Sequence, residues 1–470
     1  MQQHVIHFHP HRPAGRLARL GDRLRDHRRA ILGLQWLVVL AYAVLLIGPA
    51  LRPLPDETAH LWNDLTLAAQ FAFWGLWWPF VLLSMVGLGR VWCGLLCPEG
   101  ALTEFASRWS LGRPIPRWLR WGGWPFVAFA LTTVYGQLVS VYQYPQAVLL
   151  VLGGSTVAAV GVGLVYTRGK RVWCRHLCPV NGVFGLLAKL APLHYRADEA
   201  AWRASIGTRA ASVDCAPLLP LRQLDSASAC HGCGRCSGHR GAIRLEARSP
   251  NAEILERGAQ DGERWQSALV IFGMIGLAMG AFEWSASPWL VAARQAIAEW
   301  LVERDILWPL DSDAPWWLLT HYPAVNDSFS WLDGALLLGW MGASMLLVGG
   351  AVAGLLALAS RLLGGGRPGK AIPAFHHLSL GLVPLAGAGV FLGLSATTVT
   401  LLKGERLPLQ WVSPTRATLL AAATGWSLYL AWRICGRHAA TPPRRVAAWC
   451  AVLAACLLVD YGWSLWFWLW

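Results

Sequence analysis

The sequence predicts an all-α polytopic membrane protein of about nine transmembrane helices, with one small polar insert between two membrane blocks. Hydrophobic residues make up 55% of the 470-residue chain and charged residues 14%, against roughly 25% charged in soluble domains. Apolar runs of about 20 residues recur along the chain, and lipid admits such runs only as helices, because it cannot satisfy unpaired backbone groups. Basic residues gather in alternate connections, which is how a polytopic chain is oriented.

Taken in order, the spans lie at roughly 30–51, 65–89, 118–140, 147–167, 266–284, 334–362, 374–402, 414–434 and 447–468. Before span one, Arg12, Arg16, Arg19, Arg23, Arg25, Arg28 and Arg29 face only two Asp, which holds residues 1–29 in the cytoplasm as a basic, His-containing tail. The run that follows is too long for a signal peptide and lacks a small-residue cleavage site, so span one reads as an anchor.

Alternation then orients the rest. Asp56, Glu57 and Asp64 after span one face out, and Arg90, Arg108, Arg113, Arg117 and Arg120 after span two face in. Span four leads to Arg168, Lys170 and Arg171, again inside. The acidic segment 285–333 is outside, and Arg361, Arg367, Lys370, Arg437, Arg444 and Arg445 are inside. One outer turn disobeys, because Lys403, Arg406 and Arg416 outweigh Glu405. The net charge of +14 is therefore explained by orientation, and nucleic acid is not an expected partner. The expected location is the cell inner (cytoplasmic) membrane, multi-pass, with the N-terminus cytoplasmic and the C-terminus outside. Clusters such as Trp74, Trp77 and Trp78, or Trp463, Trp466, Trp468 and Trp470, read as interfacial belts.

The hydropathy divides residues 30–178, a four-helix block, from residues 266–470, a five-helix block. Between them, residues 179–265 form the polar insert. The first block repeats itself: Arg-Val-Trp-Cys-x-x-Leu-Cys-Pro occurs at 90–98 and again at 171–179, each copy after an apolar run. The mixed segments after each frame, 100–109 and 181–190, suit short helices lying at the interface.

Chemistry is concentrated in cysteine. In the insert, Cys230, Cys233 and Cys236 have the C-x2-C-x2-C spacing of a loop wrapping an iron-sulfur cube, and Gly232 and Gly234 permit the tight backbone this needs. The place where a bacterial ferredoxin has its fourth cysteine is Arg240. Cys215 is the nearest remaining thiol, so Cys215, Cys230, Cys233 and Cys236 are the expected ligands of one [4Fe-4S] cluster. Each frame is C-x3-C-P, the last half of a ferredoxin motif. Two halves make one site if pseudo-symmetry joins them, so Cys93, Cys97, Cys174 and Cys178 are the expected ligands of a second. Arg90, Arg171 and Arg175 would stabilise thiolates there. Competing readings are a structural zinc site in the insert, reversible disulfides within each C-x3-C pair, and exchange of ligands between the two sites. The cytoplasm is reducing, which suits free thiolates.

On these residues the chain resembles the membrane-bound polyferredoxin-type 4Fe-4S proteins, the family containing the quinol-linked nitrate-reductase ferredoxin subunit NapH, the nitrous-oxide-reductase regulator NosR and the oxidase-assembly protein CcoG. The resemblance covers about residues 30 to 250, and the doubled W-C-x2-L-C-P is its most specific part. It implies a cytoplasm-facing iron-sulfur protein that passes electrons between a quinol or cytoplasmic donor and a redox protein partner.

Other residues have plainer readings beside chemical ones. His376 and His377 enter span seven near its inner end, where a quinone or haem role competes with an interfacial histidine. His4, His7, His9 and His11 suit either a metal-binding tail or a disordered basic one. Glu283 and Asp460 read as solvated caps of spans. Cys435, Cys450 and Cys456 read as packing. The expected function is electron transfer through one or two [4Fe-4S] clusters. A copper-handling assembly factor with reductase activity and a structural zinc platform are the alternatives. The oligomeric state is not readable.

Overall fold

The computed structural model describes residues 15–56, 58–207, 210, 212–258, 262–365 and 368–470. The histidines of the N-terminal tail, His4, His7, His9 and His11, lie outside the described residues. The protein is an all-α polytopic membrane protein. Seven helices among the described residues are long and apolar enough to cross a membrane: Arg28–Ala50, Leu65–Leu88, Pro145–Val165, Arg264–Ala286, Trp331–Gly364, Gly369–Gly404 and Pro442–Leu469.

The two other expected spans are also helical, and each departs from an ordinary span for a visible reason. Trp124–Leu138 has 15 residues, which at 1.5 Å per residue reach about 22 Å, short of a hydrocarbon core of roughly 30 Å. Val412–His438 has 27 residues but carries Arg416 and Arg433 within it. The Arg416 guanidinium stands 4.4 Å from the ring centre of Phe467, so an aromatic face takes the cation.

Local sequence sets the helix ends. Ser330 and Asp333 form a reciprocal capping box at the start of Trp331–Gly364, and Gly365 closes it at φ +60. Among the described residues, π turns stand at Phe71–Trp77, Leu149–Gly153, Glu253–Arg257, Leu269–Leu277 and Leu465–Leu469. The first two fall in corresponding spans of the internal repeat, and residues of both line one cavity described below. Such turns are frequent at functional sites.

The two membrane blocks share one core. Gly369–Gly404 is the central helix, with most of its apolar length buried. The Thr398 hydroxyl donates to the Gly75 carbonyl at 2.9 Å, and a Cβ on Gly387 would lie 2.4 Å from Leu187. The segments after the frames are helices, as expected, at Pro98–Ala106 and Asn181–Ala188. They are not at the surface, however. Val183, Phe184, Leu186 and Leu187 are buried in the main core, because the helix follows its cysteine frame into the bundle.

The insert is small. Its two strands, β1 Leu193–Ala197 and β2 Ile243–Ala247, pair antiparallel with Tyr195 opposite Leu245. Tyr195, Leu245, Ile243, Leu224 and Cys236 make its core. The described half of the expected tail is a helix, Arg16–Asp26, that docks on this core. A Cβ on Gly21 would lie 2.8 Å from the Ser237 hydroxyl and 3.2 Å from Leu245. Asp22 accepts from the Ser237 hydroxyl at 2.9 Å, and Arg25 donates to the Ser237 carbonyl at 2.7 Å.

At the opposite end of the bundle, Tyr144 stacks on Tyr322 with ring centres 3.6 Å apart and donates to Asp327 at 2.5 Å. Of the two carboxylates expected as solvated caps, Glu283 is buried and Asp460 is half-buried. Glu283 is 5% exposed and its Oε1 has no hydrogen-bond partner among the described residues. Asp460 accepts from the Thr424 hydroxyl at 2.8 Å. Both helices run deeper into the bundle than charge alternation suggests.

Candidate iron-sulfur centres

The two frames fold alike. Each begins as a short helix, Val91–Leu95 and Val172–His176, and each ends with a doubled acceptor. Leu96 and Cys97 both donate to the Trp92 carbonyl at 2.9 Å, and Leu177 and Cys178 donate to the Trp173 carbonyl at 2.9 and 3.0 Å. Proline then forbids continuation, since it lacks the next donor. After Pro98 a new helix starts, capped by the Cys97 sulfur accepting from the Gly100 amide at 3.4 Å.

This construction brings Cys93, Cys97, Cys174 and Cys178 to one cavity of about 630 Å³. Burial pushes the Cys174 thiol up to about 12. Burial, with Glu99 and the neighbouring sulfurs, also pushes Cys97 and Cys178 well above the ordinary thiol range. Burial thus disfavours bare thiolates at Cys97, Cys174 and Cys178, and a bound cation would be needed to favour them.

The insert gathers its own quartet. Cys215, Cys230, Cys233 and Cys236 line a small cavity walled by Tyr195, Leu219, Leu221 and Leu224. The loop turns through Gly232 at φ +62 and Gly234 at φ +75. Side chains there would strike Val91 at 2.9 Å and Leu24 at 2.7 Å, so glycine is required for both conformation and space. Burial raises Cys230 to about 12 and raises Cys236 and Cys215 as well. Arg240, at the ferredoxin position of the fourth cysteine, has φ +54 and donates to the Ser205 carbonyl at 2.8 Å. Cys215 is the fourth cysteine that lines the cavity.

All 11 cysteines are free thiols. Among the described residues no three His, Cys, Asp or Glu stand at the spacing of a single metal ion. Both quartets are soft and sulfur-only, a donor set of the kind that suits an iron-sulfur cube.

The quartets are neighbours. A Cβ on Gly94 would lie 2.1 Å from the His231 oxygen and 2.9 Å from the Cys233 nitrogen, so the first frame and the insert loop touch through backbone. Arginines at equivalent frame positions reach across this junction. Arg90 donates to Ser228 of the insert at 3.0 Å and to Asn181 beyond the second frame at 2.8 Å. Arg171, 1% exposed, donates to the Cys93 carbonyl and to Glu104 at 2.8 Å. Arg235 of the insert pairs with the same carboxylate at 2.7 Å. The two arginines outweigh the burial of Glu104 and hold its carboxyl below the ordinary range.

Sequence reasoning missed Gly94, Glu99 and Glu104. Gly94 was visible as an asymmetry, because Arg175 stands at the equivalent place in the second frame. Glu99 lines the larger cavity and accepts from the Trp173 indole at 3.1 Å. Burial holds its carboxyl above the ordinary range. No spacing rule pointed to either carboxylate.

The expected histidines lie elsewhere. His376 meets the Ser267 hydroxyl at 2.8 Å. His377 is fully buried, with one ring nitrogen 3.0 Å from the Ile254 carbonyl and the other 3.0 Å from His438. Both nitrogens of His377 are engaged, so a haem iron would have to displace a partner there. Of the three late cysteines, Cys435 and Cys456 are buried and Cys450 is exposed.

A family model described as a 4Fe-4S binding domain matches the chain twice, over residues 70–116 and 150–196. Each match takes in a spanning helix, one frame and the helix after it. The chain is a membrane protein that carries two 4Fe-4S binding-domain matches and is similar to ferredoxin-type electron-transport proteins. Its cofactor is the [4Fe-4S] cluster, one or two per chain. Similar proteins include the methylamine utilization ferredoxin-type protein MauN of Paracoccus denitrificans, 30% identical over 155 residues, which are 27% of this chain and 53% of the relative. MauN of Methylorubrum extorquens is 34% identical over 122 residues, 23% of this chain and 42% of the relative. The Escherichia coli K12 protein YccM, named for electron transport, is 24% identical over 238 residues, 44% of this chain and 65% of YccM. This polyferredoxin-like chain thus spans about half the length of the curated MauN relatives it matches. No solved structure matches it.

Proposed function

We propose that the chain is a membrane electron carrier with two [4Fe-4S] clusters, one on Cys93, Cys97, Cys174 and Cys178 and one on Cys215, Cys230, Cys233 and Cys236. The observation that carries this is the backbone contact of Gly94 with His231 and Cys233, which sets the two sulfur quartets side by side. Side-by-side placement suits a relay, in which the protein only positions the clusters and tunes their potentials. Charge alternation supports a cytoplasmic position for both.

A quinol is the electron donor in this reading, and a redox protein the acceptor at the insert, residues 179–265. The cavity that holds the frame quartet runs up between the spans past Trp74, Trp78, Tyr142 and Phe282. At about 630 Å³ it falls within the usual size range of small-molecule sites. Mostly apolar walls with Glu99 and Tyr42 as polar points suit a ring that gives up hydrogen-bonded protons.

Anaerobic purification tests the proposal. The expected protein is brown, bleaches on reduction, and holds about eight iron per chain. A colourless protein with one zinc would establish the platform reading instead. Copper binding that vanishes on removal of residues 1–12 would point to metal handling.

A further inference from the structure

We infer that an anionic phospholipid headgroup binds where the first span leaves the membrane, in a cavity beside Cys233. The site is a cavity of about 220 Å³ with basic and apolar walls, bounded by the start of the helix Arg28–Ala50, the end of the helix Pro98–Ala106 and the insert loop. Four arginines line it, Arg25, Arg28, Arg108 and Arg235, and Arg25 is paired with Asp22 and Asp26. Arg235 shares the Glu104 carboxylate with Arg171. Arg28 and Arg108 have no carboxylate partner among the described residues, so the cavity carries two uncompensated guanidiniums, the complement of one phosphate.

Its position selects lipid over a free anion. The cavity wall includes Leu32, which is 40% exposed and begins an outward stripe that continues through Trp36, Leu40, Val44 and Ile47. Residues four apart share a helix face, so the cationic cavity and the lipid-facing stripe are continuous. A phosphate seated on the arginines would lay its acyl chains along that stripe. Aromatic rings mark the interface at the same level: Trp36 packs edge-on against Phe105 at 5.0 Å, and Arg108 lies 5.4 Å from the Phe105 centre. Trp and Tyr rings favour this zone of a bilayer, and basic pockets at the inner ends of spanning helices are where anionic headgroups bind.

This inference does not depend on the clusters, and lipid retention is read without iron. The full-length protein would be delipidated in detergent, returned to nanodiscs of phosphatidylcholine with or without phosphatidylglycerol, and examined by native mass spectrometry. The expected result is one retained phosphatidylglycerol per chain, preferred over phosphatidylcholine by on the order of tenfold, given two guanidiniums near the surface. R28Q/R108Q should lose that preference. R28K/R108K should keep most of it, and R361Q, which changes a basic residue on another helix, should keep all of it. Equal retention of both lipids, equal loss in R361Q, or displacement by excess inorganic phosphate would overturn the inference. Should R28Q/R108Q fail to fold, loss of preference in the lysine pair would do the same.

Discussion

Gly94 lies against the His231 carbonyl so closely that even a methyl group cannot enter, since a Cβ would sit 2.1 Å from that oxygen. The neighbour is backbone and cannot swing away as a side chain would. G94A should therefore push the insert loop off the first frame, at a cost of roughly 1–3 kcal/mol for overpacking. The insert centre should suffer first. Iron should fall from about eight toward about four per chain, with the frame centre's electron paramagnetic resonance signal kept. Full iron in G94A would show that the contact is dispensable.

C215S should behave in the same direction by a different route. Cys215 completes the insert quartet from outside the C-x2-C-x2-C run, so its loss should remove about four iron and leave the frame centre intact. C435S, at a buried thiol far along the chain, should leave iron unchanged. Equal iron in C215S and the parent protein would transfer the fourth ligand to another residue.

Glu253 is the acid-sensitive point of the insert. It is buried, accepts from the Ser226 hydroxyl at 2.6 Å and the Ala227 amide at 3.0 Å, and pairs with Arg248 at 2.6 Å. Lys189 stands 3.6 Å away. These partners overcome burial and hold the carboxyl below its ordinary 4.5. Its contribution is then complete above pH 4.5 and declines as the pH falls from there through the native value, because the unfolded chain takes the proton first. E253Q should lower stability at pH 7 by about 3 kcal/mol, as removal of one partner strands buried cations. It should also flatten the acid limb of a denaturation profile. An unchanged acid limb would assign it to other carboxylates.

The helix Arg16–Asp26 should protect the insert quartet. G21V places its side chain where the Ser237 hydroxyl and Leu245 already stand, so the helix should detach. Bleaching of the brown colour in air should then speed up several-fold, since oxidation follows access, with anaerobic iron content nearly unchanged. Equal bleaching rates would make the helix an anchor without a shielding role.

Much of this architecture is legible in the amino-acid sequence. Long apolar runs declare the spans, because a bilayer leaves the backbone no alternative. The doubled frame pairs Cys93 and Cys97 with Cys174 and Cys178, which line one cavity, and Cys215 lines a second with Cys230, Cys233 and Cys236. What periodicity hides is relation between elements. The helix Arg16–Asp26 reads as a charged tail because arginine dominates its composition, yet Gly21 is the flat spot through which it packs. Glu283 reads as a solvated cap because charge is expected at span ends, and only the packing of neighbouring helices shows that it is buried. Likewise nothing in the apolar run of Gly369–Gly404 says that it sits at the centre of both blocks.

The internal repeat has one further consequence. Twofold likeness would offer two equivalent doorways to the sulfur chamber between the frames. Gly94 leaves the first doorway open and the insert occupies it, whereas Arg175 fills the same position of the second. A one-residue difference between otherwise matching halves thus decides which frame the insert covers.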